Sequence, residues 1–214
     1  MKRCIIIGAG DLNISQIPVK EEDFVIAADG GFSYCEILGV TPDLIIGDLD
    51  SVGEEEAAKI AEIYRQDPEK LVLLPAEKDE TDMLAAIHEG LKRGCQDFRI
   101  YAGQGGRLEH TIANIQCLKY LKEQGAAGYL CDGTGMIFVI KDEEVSFREE
   151  NEGYLSVFSL GDRAEGVTIR GMKYELDDAQ LTNSFPVGIS NEFIGEKASV
   201  EVKNGTLLLI LAWA

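Results

Sequence analysis

Positive charge is scarce in this chain: 20 lysines and arginines stand against 38 aspartates and glutamates in 214 residues, a formal net charge of -18. Proteins that grip a phosphate backbone do so with lysine and arginine patches, so this balance excludes the general nucleic-acid binder. An anionic substrate would have to enter with metal ions, whereas a cationic one is drawn in by the field. Long apolar runs are also missing. No stretch of 18 apolar residues occurs, so no membrane-spanning helix is expected, and Lys2 and Arg3 lead only into the short run Cys4 to Ile7, too brief for a secretory signal. The five cysteines, Cys4, Cys35, Cys95, Cys117 and Cys131, contain no C-x-x-C pair and lie mostly in apolar contexts. Cysteine there acts as a small core residue, which fits a reducing cytosol and a cytoplasmic protein. With His88 and His110 as the two histidines, no cysteine and histidine set has the spacing of a zinc site.

What remains is ordinary for a globular protein, 45% hydrophobic and 27% charged residues, and the length buries a full core as one domain or two small ones. Within it, Asp43-Leu-Ile-Ile-Gly-Asp-Leu-Asp-Ser51 drives an apolar run straight into two carboxylates. In extended backbone, side chains two apart point to the same side, so Asp48 and Asp50 converge while Leu49 turns to the core. Gly47 lets the chain bend or approach a ligand closely. Adjacent carboxylates repel unless a cation lies between them, and hard oxygen ligands suit Mg2+. The alternative is a polar loop in which one aspartate caps the helix that begins near Glu54, Glu55 and Glu56.

Other candidate groups also follow short apolar strands. Cys4 to Ile7 leads into Gly8-Ala-Gly10, but Asn13 stands where a dinucleotide fingerprint needs its third glycine, so a tight turn beside a ligand is the better reading. Phe24 to Ala28 ends in Asp29-Gly30-Gly31, where glycines expose N-H groups and Asp29 either accepts from ligand hydroxyls or caps the helix that runs to Leu38. After Leu71 to Leu74, Lys78-Asp79-Glu80-Thr81-Asp82 opens a helix closed by Gly94. Asp79 and Asp82 share one turn there, as ligands or as a capping pair. Phe98 to Ala102 leads into Gly103-Gln-Gly105-Gly106-Arg107-Leu-Glu109-His110, which fits phosphate binding by backbone amides and a guanidinium. A cation at a helix start opposes the helix dipole, so Arg107 is expected to have a partner. The following helix is predicted to face inward through Leu108, Ile112, Ile115, Leu118 and Leu121 or Cys117.

Strand and helix alternate as far as Ile140, which predicts an α/β domain over residues 1–141, a mostly parallel, Rossmann-like sheet flanked by helices with ligands at its carboxyl edge. From 142 to 214 short strands separated by glycines predict an all-β sandwich domain. Lys203-Asn204-Gly205-Thr206 carries a hairpin signal, while Gly171 to Leu176 and Gly188 to Phe193 read as loops.

Taken in order, Asp29-Gly30-Gly31, Gly47-Asp48-Leu49-Asp50-Ser51, Asp79-Glu80-Thr81-Asp82, Gly105-Gly106-Arg107-Leu108-Glu109-His110 and Ser190-Asn191-Glu192 closely resemble the thiamine pyrophosphokinase family over nearly the whole chain. That resemblance implies an α/β domain binding ATP and Mg2+, then a β-sandwich domain for thiamine binding and dimerisation. It implies a homodimer with thiamine at the junction between subunits, and transfer of pyrophosphate from ATP to the thiamine hydroxyl. It implies Mg2+ on Asp48, Asp50 and Asp82, and Asp29, Gly30, Gly31, Asp79, Thr81, Gly105, Gly106 and Arg107 around the nucleotide. Thiamine would stack on Tyr174 beside Ser190 and Asn191. Glu109 departs from the family pattern, which has Asp there. Two other readings compete: a metal-dependent phosphatase with Asp48 as nucleophile, and a nucleotide or thiamine binder without turnover.

Overall fold

The computed structural model describes every residue except Ser51, Ala76, Lys78 and Ala214, so the ends of two acidic motifs, Ser51 and Lys78, lie outside the described residues. The chain forms two compact units, Met1–Gly133 and Thr134–Ala214. Among the described residues no helix is long and apolar enough to cross a membrane.

The first unit carries β1 (Arg3–Ile7), β2 (Phe24–Ala28), α1 (Gly31–Leu38), β3 (Leu44–Gly47), α2 (Glu54–Gln66), β4 (Leu71–Leu73), α3 (Asp82–Lys92), β5 (Asp97–Tyr101), α4 (Leu108–Glu123) and β6 (Ala127–Cys131). Its strands pair in parallel in the order β6-β5-β1-β2-β3-β4. Alternation along the strands builds two apolar faces. Ile5, Ile7, Val25, Ala27 and Ile45 pack with Phe32 and Cys35 of α1 and Ile60 of α2. The intervening Cys4, Ile6, Ile26, Ile46, Phe98 and Ile100 are equally buried, on the side where α3 lies against β1, β2 and β3. Each fully buried isoleucine is worth about 1.5–3 kcal/mol relative to exposure. The chain advances from β1 to β4, and α3 then brings it back to β5 on the other side of β1. That reversal opens a crevice at the carboxyl ends of β1 and β5.

Packing under α3 leaves no room at Gly90, where an added Cβ would lie 2.5 Å from the Phe98 ring and 3.0 Å from Cys4 Sγ. Gly90→Ala is therefore expected to destabilise the protein by about 1–3 kcal/mol despite the better helix propensity of alanine. Urea denaturation measures this, and a stabilised variant would mean that the ring has space to move.

The inward face of α4 differs from the sequence expectation. Asn114, Cys117, Leu118 and Leu121 are buried, whereas Leu108 and Ile112 are 70% and 51% exposed. Apolar spacing along this helix fits more than one stripe, and packing against β6 and α3 selects the one centred on Asn114 and Leu118.

The second unit is a sandwich of two antiparallel sheets, built from β7 (Gly135–Lys141), β8 (Glu144–Phe147), β9 (Tyr154–Ser159), β10 (Arg163–Arg170), β11 (Leu176–Thr182), β12 (Gly188–Glu192), β13 (Ala198–Glu201) and β14 (Thr206–Ala212). Within this unit the orders are β12-β9-β14-β7 and β11-β10-β13-β8. Leu155, Val157, Val167, Ile169, Val200, Leu207 and Leu209 are almost wholly buried.

Two local expectations are corrected here. Lys203 to Thr206 is no hairpin, because β13 and β14 belong to different sheets. The turn crosses between them, held where Asn204 O accepts from Glu165 N-H at 2.8 Å and Gly205 N-H donates to Asp142 Oδ1 at 2.7 Å. Gly188 to Phe193, read as a loop, contains the edge strand β12. A register shift between Gly188 and Asn191 and the left-handed Ser190, φ 55°, remove the alternation by which a strand is recognised.

Candidate active site

A pocket of about 340 Å³ opens in the first unit at the crevice. It is lined by the turn after β1 (Gly8, Ala9, Gly10), the end of β2 (Ala28, Asp29), the start of α3 (Thr81, Asp82, Met83), the segment after β5 (Ala102, Gly103, Gly105, Gly106) and α4 with its N-cap (Arg107, His110, Asn114). The turn after β1 is bonded onto the segment after β5: Gly8 N-H donates to Tyr101 O at 2.9 Å and Gly10 N-H to Ala102 O at 2.7 Å. The glycines Gly8 and Gly10 therefore serve a turn beside a pocket, as expected.

Asp29 closes β2 in a left-handed conformation, φ 54°, its N-H donating to Ile46 O at 2.8 Å. A non-glycine residue there costs of order 1 kcal/mol, so the neighbouring strand end is holding it in place. Gly31 is glycine for a different reason from the one expected. A Cβ there would lie 2.0 Å from Ile7 O, so the position lets α1 start against β1.

Asp48 and Asp50 do converge, but by another route than strand alternation. β3 ends at Gly47 and Leu49 is left-handed, φ 60°. The turn brings Asp50 N-H to Asp48 Oδ1 at 3.3 Å and leaves Leu49 against the core. Asp29 joins them: one carboxylate oxygen from each of Asp29, Asp48 and Asp50 lies within 4.8 Å of the others. The Asp48 charge raises the Asp50 carboxyl above its ordinary pKa, with smaller contributions that include the Asp29 and Asp82 charges. Three hard, mutually repelling oxygen donors fit a hard divalent cation such as Mg2+. Asp82, the first residue of α3, stands outside that trio, with Oδ1 shut from solvent.

The start of α3 is capped by Thr81, whose Oγ1 accepts from Leu84 N-H at 3.2 Å. Asp79 is exposed and does not line the pocket. Glu80 reaches along α3 to His88 Nδ1 at 3.0 Å, and His88 Nε2 meets the Tyr120 hydroxyl of α4 at 3.1 Å.

Before α4, Gly105 and Gly106 have φ 79° and 58°. At Gly105 a Cβ would also lie 2.0 Å from the Asp11 carboxylate, so a side chain there would have to displace Asp11 as well as adopt a strained backbone. Arg107 is the N-cap residue of α4 and has the expected partner, since its Nε donates to Glu109 Oε1 at 2.7 Å. The longer Glu109 thus folds back onto the guanidinium, and its own backbone N-H together with Arg107 holds its carboxyl below the usual range. Asn114 is the lining residue that no sequence motif marked. Its one signal was a polar side chain on the apolar inner face of a helix.

In the second unit the structure brings Tyr174, Ser190 and Asn191 together. Asn191 is 5% exposed: its Oδ1 accepts from Tyr174 N-H at 2.9 Å and from Glu192 N-H at 3.0 Å, and its Nδ2 donates to Tyr174 O at 2.6 Å. The side-chain amide thus pairs with the N-H and C=O of one residue as a neighbouring strand would, and Tyr174 itself is 64% exposed. Ser190 N-H donates to Ser156 Oγ at 3.0 Å. Asn191→Ala leaves these backbone groups without their partner and is expected to lower stability by about 1–3 kcal/mol, read as a fall in melting temperature. An unchanged melting temperature would show that water replaces the amide.

Comparison with known proteins adds the following. Residues 16–130 match the family model "Thiamin pyrophosphokinase, catalytic domain", and residues 142–207 match "Thiamin pyrophosphokinase, vitamin B1 binding domain". The thiamine pyrophosphokinase of Bacillus subtilis (strain 168) is 28% identical over 216 residues, 98% of either chain. Its crystal structure superposes with a TM-score of 0.87 at 28% identity over 99% of both chains. A thiamin pyrophosphokinase family protein from Enterococcus faecalis gives a TM-score of 0.81 at 27% identity over the whole of both chains. The yeast thiamin pyrophosphokinase, at 17% identity, shares the fold, with a TM-score of 0.74 over 99% of this chain and 86% of that one.

Proposed function

The chain belongs to the thiamin pyrophosphokinase family, and from that premise we propose how its residues divide the reaction. The enzyme transfers a pyrophosphoryl group from ATP to the hydroxyl of thiamine, releasing AMP. One observation carries the assignment of the site: a pocket whose wall joins Gly105, Gly106 and Arg107 to Asp29, Thr81 and Asp82, with Asp48 and Asp50 grouped on Asp29.

We assign the triphosphate to this pocket. The N-H groups of Gly105 and Gly106 and the N-terminus of α4 provide dipoles suited to phosphate oxygens, and the Arg107 guanidinium adds a full charge. Thr81 and Asp82 border the same phosphates, whereas Asp79 stands outside the pocket lining. Asp48, Asp50 and Asp82 would hold Mg2+, and the closeness of the Asp29 carboxylate to Asp48 and Asp50 supports including it in that set. The ion, when bound, neutralises phosphate charge and polarises the phosphoryl oxygens. The thiamine hydroxyl attacks the β-phosphorus in line, and the bond to the α-phosphate oxygen breaks as AMP leaves. The proton of the thiamine hydroxyl passes to a carboxylate of this edge, and of the two candidates Asp82 and Asp79 only Asp82 lines the pocket. Arg107 stabilises charge as it shifts between oxygens, and positioning with electrostatics supplies most of the rate.

We assign thiamine to the second unit's Tyr174, whose exposed ring suits a cationic thiazolium. Ser190 lies beside it, and Asn191 fixes the Tyr174 peptide. The working form is a cytoplasmic homodimer, which light scattering checks as twice the chain mass.

Purified protein incubated with thiamine, ATP and Mg2+, and followed by chromatography, is expected to form AMP and thiamine diphosphate in equal amounts. ADP or orthophosphate in their place would overturn this reading and return Asp48 to the role of a phosphatase nucleophile.

A further inference from the structure

Three consecutive carbonyls precede the Gly-Gly turn of the pocket, and each is hydrogen-bonded, two to the turn after β1 and one to α4. Ala102 O accepts from Gly10 N-H at 2.7 Å, Gln104 O accepts from Asp11 N-H at 2.7 Å, and Gly103 O accepts from Asn114 Nδ2 at 2.7 Å. An anion site requires this. A carbonyl facing the pocket presents lone pairs to phosphate oxygens, so every carbonyl in the segment must be turned onto another donor while N-H groups stay available. Among the described residues, neither the Gly105 nor the Gly106 N-H donates to a backbone carbonyl. Two of the three tethers are backbone groups that come with the turn after β1. The third is a side chain.

Asn114 is an unusual residue for its place. It is 8% exposed, on the face of α4 that otherwise buries Cys117, Leu118 and Leu121. A polar group there costs stability unless it is bonded, and an apolar residue would fill the face without that cost. Asn114 also lines the pocket. Gly103 itself has no room for a side chain, since a Cβ there would lie 2.9 Å from Ile100 and Leu130, and the preceding Ala102 is left-handed, φ 48°.

We propose that Asn114 is a positioning residue for the nucleotide, holding the Gly103 carbonyl out of the phosphate pocket so that the Gly105-Gly106 turn presents its N-H groups. The inference rests on reading that pocket as the triphosphate site.

The test is Asn114→Leu, which suits the apolar face, and Asn114→Asp, which keeps the shape but loses the donor. Calorimetry with a non-hydrolysable ATP analogue and Mg2+ gives a readout independent of turnover. Both variants are expected to bind the analogue about 10-fold or more weakly than the wild type, with KM for ATP rising in parallel, KM for thiamine within about twofold, and Asn114→Leu melting no lower. A purely structural asparagine gives the opposite pattern: a lower melting temperature with unchanged analogue binding. Wild-type affinity in whichever variant folds overturns the inference while leaving the function intact. Failure of the wild type itself to bind the analogue overturns the assignment of the pocket, and the role of Asn114 with it.

Discussion

Asp50→Ala is expected to reduce turnover by about 10³-fold or more, because an interaction needed in the transition state is lost rather than weakened. Folding should not suffer. Asp50 is exposed, and its nearest influences are the like charges of Asp48, Asp29 and Asp82. Removing it relieves repulsion, so the melting temperature should stay or rise in metal-free buffer. Added Mg2+ should raise the melting temperature of the wild type and have much less effect on the variant, because only a site that binds the ion gains from mass action. Steady-state AMP release and thermal melts with and without Mg2+ check both halves. An active variant that still requires Mg2+ would remove Asp50 from the metal set.

Arg107→Ala is expected to lower kcat by about 10²- to 10³-fold, within the range for losing one preorganised charge at a phosphoryl transition state. Arg107→Lys should recover only part of this, since lysine offers a point charge where the guanidinium offers two parallel donors. The side chain is 72% exposed and bonded to Glu109, so the fold should not depend on it. Single-turnover kinetics at saturating ATP separates the effect on chemistry from weaker binding. A change confined to KM for ATP would make Arg107 a binding residue alone.

Much of this candidate site can be seen in the sequence because its residues are of types unusual for their place. Asp48 and Asp50 end an apolar run, Arg107 stands at a helix start against the dipole, and consecutive glycines precede it. Each can be recognised locally. The geometry behind them was less accessible. Strand parity predicts that Asp48 and Asp50 converge, yet the cause is a left-handed Leu49, a conformation that nothing in the residue type signals. Asp29 was expected at the same edge of the sheet as that pair, but nothing in the sequence put it in contact with them. It joins them because β2 and β3 are neighbours and its N-H is bonded to Ile46 O.

The second unit shows the same division. Its class followed from short strands and glycines, but β12 was hidden by Ser190 and a register shift, and the turn at Asn204-Gly205 could not reveal which sheet receives β14. Turn chemistry reports a reversal of the chain, whereas sheet membership depends on the partners across it.

The sequence by itself determined the class of each unit, the edge of the sheet that carries the candidate site, and the acidic and glycine-rich motifs that place the chain in its family, because periodicity and residue type are local properties. Only the tertiary structure decided that Asp29 completes the carboxylate group, that Asn114 rather than Leu108 or Ile112 faces inward from α4, and that Asn191 is spent on the Tyr174 peptide. Each of these depends on which segments lie side by side after folding, and strand order, helix rotation and the destination of a buried amide are set by packing and hydrogen-bond satisfaction across distances that no local pattern spans.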